Sequence, residues 1–255
     1  ELREKYGLND PWYQQYVRWI GNAAQGEFGN SYTYQIKVST LLGERALNTF
    51  WLSLVTVILL YAIAIPLGVI AGRFQDSLFD RGVMLYSFVT YAIPTFVLAL
   101  LFIYFFGFKL GWFPTTGSVD IRQDAGTFGY VWSKIYHLFL PAFTSAILGT
   151  TGVIQFLRSE VIDAKSMDFV RTARSKGVPQ RKVYSRHIFR NSLLPIAAFI
   201  GFTITGLLGG SIFIETIFGY HGMGQLFIHA INGRDYSVIT ALVMLFGFLT
   251  LLGSL

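Results

Sequence analysis

Nine Lys and Arg side chains lie between Arg158 and Asn191 (Arg158, Lys165, Arg171, Arg174, Lys176, Arg181, Lys182, Arg186 and Arg190), against three acids, Glu160, Asp163 and Asp168. The chemistry open to such a patch is ionic: it can rest on anionic lipid or be gripped by an acidic partner. A helix stop and restart at Gly177-Val178-Pro179 favours the second, because a merely solvated run of charge needs no punctuation. Little else in the chain is reactive. Glu215 is the one carboxylate at the depth of an apolar run. An acid there is a functional group by default, although a Glu snorkelling to the interface fits as well. His137, His187, His221 and His229 fall in polar segments or at the ends of apolar ones. The sequence has no metal-ligand spacing, no Ser/His/Asp arrangement, no paired carboxylates and no G-x-x-x-x-G-K-[ST] phosphate loop. No catalytic, cofactor or metal site is therefore expected. If ATP drives this protein, another chain hydrolyses it. With no cysteine there is neither disulfide nor thiolate chemistry.

The elements that must carry these groups follow from how charge is distributed. The chain is 53% apolar and only 13% charged, against about 25% charged in a soluble domain. Five runs hold no Asp, Glu, Lys or Arg: Phe50–Gly72, Val83–Gly107, Leu138–Leu157, Ser192–Ile214 and Tyr236–Leu255. Each is long enough to cross a bilayer as a helix, which takes about 20 residues. Five such runs leave no soluble shell to cover them. The expected fold is an all-α polytopic membrane protein.

The net charge of +6 encodes topology rather than affinity for nucleic acid. Segments 73–82 and 158–191 hold 11 basic residues in 44 positions, while 1–49, 108–137 and 219–235 hold 9 in 96. That alternation puts the first two segments in the cytoplasm and the other three outside. Five spans leave the two ends on opposite faces, and the sequence starts without Met and stops inside an apolar run. A longer parent is expected, with at least one span before Glu1 and a short tail after Leu255.

Two regions organise the chain: an external segment, 1–49, and a membrane domain, 50–255, that contains the cytoplasmic loop 158–191. In the first, Asn9 or Asp10 caps a helix with Pro11 at its first position and Gly21 past its end. Trp12, Tyr16, Trp19 and Ile20 share one face of that helix, which packs on the membrane interface or its own bundle, or docks a partner. Within the spans Pro66, Pro94, Pro141 and Pro195 interrupt helical runs, and Gly201, Gly206, Gly209 and Gly210 thin the fourth. Together they suggest a bundle that bends. In the loop, Ser166 caps a helix with Asp168 in its first turn and Arg174 and Lys176 in its last, matching the helix dipole. Gly177 stops it, Pro179 starts the next, and Phe169, Thr172 and Ala173 form a small apolar face.

Arg171-Thr172-Ala173, Gly177 and Asn191-Ser192-Leu193-Leu194-Pro195 resemble the EAA loop of permease subunits in binding-protein-dependent ABC importers. The run Asp168 to Gly177, with Arg186-His187 and Leu194-Pro195, is similar to the peptide/nickel branch, B-type oligopeptide or dipeptide permeases in particular. Leu8-Asn9-Asp10-Pro11, Gly26 to Ser31, Glu215-Thr216-Ile217-Phe218, Gly222-Met223-Gly224 and Arg234-Asp235-Tyr236 extend the resemblance over the whole chain. It departs where Arg171 stands for the motif's Glu and where the spacing to Leu194-Pro195 is longer, both usual in peptide-type members.

The resemblance implies a type I importer fold, five spans of an expected six, in the bacterial cytoplasmic (inner) membrane. It implies a second homologous permease, two cytoplasmic ATPase subunits that bind ATP and Mg, and an extracytoplasmic peptide-binding protein. The expected ATPase-coupling residues are Asp168, Phe169, Arg171, Thr172, Ala173, Arg174, Lys176 and Gly177, with Phe169, Thr172 and Ala173 entering a groove on the ATPase. Gln155, Thr203, Thr205 and Ser211 are expected along a neutral translocation path. Glu215, Gly222, Gly224, Arg234 and Asp235 are expected at the external docking surface. The competing functions are nickel or glutathione import by the same machinery, an ion-coupled secondary carrier, and a membrane scaffold. A carrier would call for buried charge and inverted repeats, and a scaffold has no use for the punctuated loop.

Overall fold

The computed structural model describes residues 11–208 and 212–254, without the side chains at 197–199, 202, 204, 205, 207, 208 and 254. The proposed caps Asn9 and Asp10, together with Gly209 and Gly210, lie outside the described residues. Helix α1 (Trp12–Ala24) starts at Pro11 and runs through Gly21. Its stop is Gly26, at φ +80. The N–H groups of Gly26 and Glu27 there return to the carbonyls of Ala23 and Asn22 at 3.0 and 2.9 Å. Gly21 has open space around it and ordinary helical backbone, so it ends nothing. Trp12, Tyr16 and Ile20 are exposed and only Ala23 is buried. Trp19 is half-buried, and with Trp12, Tyr16 and Thr240 it lines an open cleft.

Two long helices make the centre: α2 (Val38–Arg73) and α5 (Phe128–Ser166). Their close approach has a visible cause. A Cβ on Gly72 would lie 2.8 Å from the Arg158 carbonyl and from Val161, and one on Gly68 would lie 3.1 Å from the Ile154 carbonyl. Small residues let membrane helices pack backbone to backbone, and Ala64, Gly68 and Gly72, four apart, do so here.

Between them run α3 (Leu78–Ala92) and α4 (Thr95–Phe102), the latter widening into a π-helical stretch, Ile103–Lys109. The run 83–107 is therefore not one straight span but two helices bent by 104°. Proline keeps the preceding residue out of helical backbone, and Ile93 is extended at φ -80, ψ 122. By contrast Pro66, Pro141 and Pro195 sit inside continuous helices. The bend is concentrated at one proline.

Past α5 come α6 (Asp168–Ser175) and a turn, Gln180–Lys182, that leads through π-helical Val183–Ile188 into α7 (Phe189–Leu208). Short helices α8 (Ile212–Ile217) and α9 (Met223–Asn232) precede α10 (Tyr236–Ser254). Helices α2, α5 and α10 are each long and apolar enough to cross a membrane, and α3 with α4 meet that test as a bent pair. The fourth apolar run falls on α7 and α8.

Candidate functional site

The basic loop is not a loop for most of its length. Helix α5 carries the chain to Ser166, whose hydroxyl donates back to the Asp163 carbonyl at 2.8 Å. Ser166 thus ends α5 and does not cap α6. That place falls to extended Met167, with no side-chain cap. Asp168 and Arg174 occupy the first and last turns as the dipole favours. Gly177, at φ +73, closes the helix: its N–H reaches the Arg174 carbonyl at 2.9 Å and that of Val178 reaches Ala173 at 3.1 Å. Pro179 caps the following turn from outside rather than opening it as its first residue.

The three residues expected to form the contact face of α6 are placed differently from one another. Val170 and Ala173 are buried in the core that α2, α5 and α7 share, Phe169 packs half-buried against it, and Thr172 is exposed. Of the three, Ala173 is thus the one seated in the core. What α6 presents outward is Asp168, Arg171, Thr172, Arg174, Ser175 and Lys176. Arg171 stands 3.5 Å from Asp168, but the two side chains are 73% and 95% exposed. A pair so open to water contributes little, so the guanidinium remains available to another carboxylate.

Four interactions that no sequence pattern announced brace the seat beneath α6. Arg158 grips Asp80 with two N–H groups at 2.6 and 2.7 Å. Lys165 Nζ donates to the Gly72 carbonyl at 2.8 Å, capping the end of α2. The Arg73 guanidinium lies 4.7 Å from the Tyr184 ring centre and 5.0 Å from that of Phe74. Asp80 is itself held in the first turn of α3, where its N–H donates to Ser77 Oγ at 3.2 Å. Pairing across 78 positions leaves no trace in spacing.

At the opposite end, the residues expected on a docking surface are mostly interior. Glu215 is 0% exposed. Its carboxylate accepts from Thr49 Oγ1 at 2.9 Å and from the Gln225 N–H at 3.0 Å, so it caps the N-terminus of α9 and does not snorkel. Thr49 Oγ1 in turn accepts from the Met223 N–H at 2.8 Å. A Cβ on Gly222 would sit 2.5 Å from that carboxylate, and one on Gly224 2.9 Å from Ile212 Cα, so both glycines serve the close fit.

Asp235 is also buried, where it accepts from Ser31 Oγ at 2.5 Å and from the Thr33 N–H at 3.0 Å. Burial pushes its carboxyl up, but hydrogen bonds from Ser31, Thr33, Tyr32 and Val238 outweigh this and hold it below its ordinary value. Two separately read motifs are thus one joint. Only Arg234 is exposed, at φ +54. His221 Nδ1 lies 3.0 Å from Ser118 Oγ, and burial, with Arg45 and His229, lowers its pKa.

Of the path candidates, Thr203 lines a cavity of about 290 Å³ with Tyr61, Gly152, Phe156 and Ile196, and its hydroxyl lies 3.3 Å from Tyr61 Oη. Gln155 is half-buried on α5 and is not part of that wall. Ser211 lies outside the described residues, as does the Thr205 side chain. Among the described residues no cluster of His, Asp and Glu could hold a metal ion.

Residues 64–255 match the family described as binding-protein-dependent transport system inner membrane component. The chain is 40% identical over 99% of its length to the oligopeptide transport system permease protein AppB of Bacillus subtilis, of which it covers 79%. It is 33% identical over 96% of its length to the glutathione transport system permease protein GsiC of Escherichia coli K12, covering 76%. Its fold is similar to that of the inward-facing MetNI methionine ABC transporter. That match has a TM-score of 0.65 at 15% identity, over 84% of this chain and 91% of that one.

Proposed function

Because the chain belongs to the family of binding-protein-dependent transport system inner membrane components, we propose that it is one half of the membrane pathway of an ATP-driven oligopeptide importer. It is a multi-pass inner-membrane permease and the pore-forming part. A second, similar permease completes the pathway, an extracytoplasmic binding protein delivers the peptide, and two cytoplasmic ATPase subunits bind and hydrolyse ATP with Mg. The oligopeptide substrate is inferred from AppB. Glutathione is the second reading, supported by the likeness to GsiC.

The observation that carries the coupling role is the division of α6 into two faces. Val170 and Ala173 fix it to the core, while Arg171, Arg174 and Lys176 stand free of the bundle on its outer side. A short helix so mounted acts as a handle. Acidic groups on the ATPase hold the cations, and when ATP draws the two ATPases together the handles move and the bundle shifts from inward- to outward-facing. Such a shift needs only that the ATP-bound partner contact one state better than the other.

The test is uptake of a radiolabelled tripeptide into proteoliposomes that contain the assembled complex. Uptake that requires ATP, the binding protein and this chain together is expected. Uptake driven by a proton or sodium gradient without ATP would contradict the proposal.

A further inference from the structure

Asp80 and Arg158 look, by charge counting, like two members of the polar segments on one membrane face. Their geometry is far more specific. Both carboxylate oxygens of Asp80 meet guanidinium N–H groups at 2.6 and 2.7 Å, with Asp80 buried. Asp80 is fixed before it meets its partner: its N–H donates to Ser77 Oγ at 3.2 Å, and its carboxylate accepts from the Asp76 N–H at 2.8 Å.

Arg158 lies on α5 about two turns before the point where that helix gives way to α6. The end of α5 that carries α6 is therefore clamped to the first turn of α3. Helix α3 leads through the bend at Pro94 into α4, whose Ala99 packs in one cluster with Ile214, Phe218 and Tyr220 at the far end of the bundle.

We propose that the Asp80–Arg158 pair is a positioning device for transport. It makes α3 travel with α5, so that displacement of α6 reaches α4 and the opposite end of the bundle. The proposal rests on the reading of α6 as the ATPase handle. An apolar pair of similar volume would hold two helices as stably, whereas a two-pronged ion pair also fixes their relative orientation. Orientation is what a transmitted stroke requires.

The test uses the assembled complex in proteoliposomes with its binding protein and radiolabelled trialanine. It reads ATP hydrolysed per peptide imported, beside the amount of ATPase retained. Asp80→Leu combined with Arg158→Met removes the clamp without leaving a buried unpaired charge. Expected are normal insertion and ATPase retention with a rise of about tenfold in ATP per peptide, within the range of typical coupling between sites. An unchanged ratio overturns the proposal. Should the double variant fail to insert, Arg158→Lys decides, since it keeps the charge and loses the fork. A raised ratio then supports the clamp and an unchanged ratio overturns it. Failure of the handle reading would look different: reversing the charges of Arg171 and Lys176 would leave ATPase retention intact, whatever the clamp variants do.

Discussion

Both carboxylate oxygens of Glu215 are occupied by donors from α2 and α9, which makes this acid a fastener rather than a relay. Glu215→Gln turns an amide group toward backbone N–H donors and removes a charge from a helix N-terminus. A cost of about 1–3 kcal/mol is expected. Thermal unfolding of the purified chain should show it, while ATP-driven uptake per inserted molecule stays near normal. Loss of uptake at normal stability would contradict this. Asp235 gives a prediction with a sign. Its folded pKa is depressed below the ordinary 3.8, so its contribution to stability is complete above that value and disappears as pH falls through the folded one. Asp235→Asn should lower the melting temperature at neutral pH, and the gap from the parent should narrow as pH falls below 3.8. A gap independent of pH would refute the assignment. That Glu215 was worth attention was legible, since apolar runs expose their one acid. Its partners were not, because Thr49 lies 166 positions away and Gln225, ten positions on, offers a backbone N–H that no residue type announces.

For helix α6 the C-terminal stop was legible, whereas the cap expected at Ser166 and the facing were not. Gly177 and the acid–base polarity from Asp168 to Arg174 are local signals, and local sterics placed them. The face was harder to read, because Phe169, Val170 and Ala173 span an arc that can be divided between core and partner in more than one way. Tertiary packing chose Val170 and Ala173 for the core. A substitution such as Ala173→Asp therefore attacks the seat rather than the partner contact. Gly177 isolates the stop itself, because a Cβ there meets nothing within 4 Å and only backbone strain of about 1–2 kcal/mol remains. Gly177→Val should weaken ATPase retention, and Gly177→Asn, which tolerates positive φ, should weaken it less. Equal retention in parent and both variants, measured by co-purification, would remove the stop from the account. The same limit applies to α3 and α4. A charge-free run reports length and depth, and Pro94 marks a break, but nothing local distinguishes a 104° bend from the mild accommodation of Pro66 inside α2.

At the scale of the whole molecule, the alternation of basic density assigns α6 to the cytoplasmic face and the Ser31–Asp235 joint to the outer face. The chain has no cysteine, so single introduced cysteines report sidedness cleanly. Tyr32 and Ile121, 78% and 97% exposed, should label from outside intact cells, and Ser166→Cys only after permeabilisation. External labelling at Ser166 would invert the topology. The central claim, that exposed cations of α6 hold the ATPases, meets its most direct test in Arg171→Glu combined with Lys176→Glu. Both side chains face away from the core, so folding and insertion should not change. The measurement is the quantity of ATPase subunit that co-purifies with the membrane-inserted complex, read beside ATPase activity stimulated by loaded binding protein. The account predicts near-complete loss of both at unchanged insertion. Full retention with normal stimulated activity would contradict it and leave the basic segment as a topology signal alone.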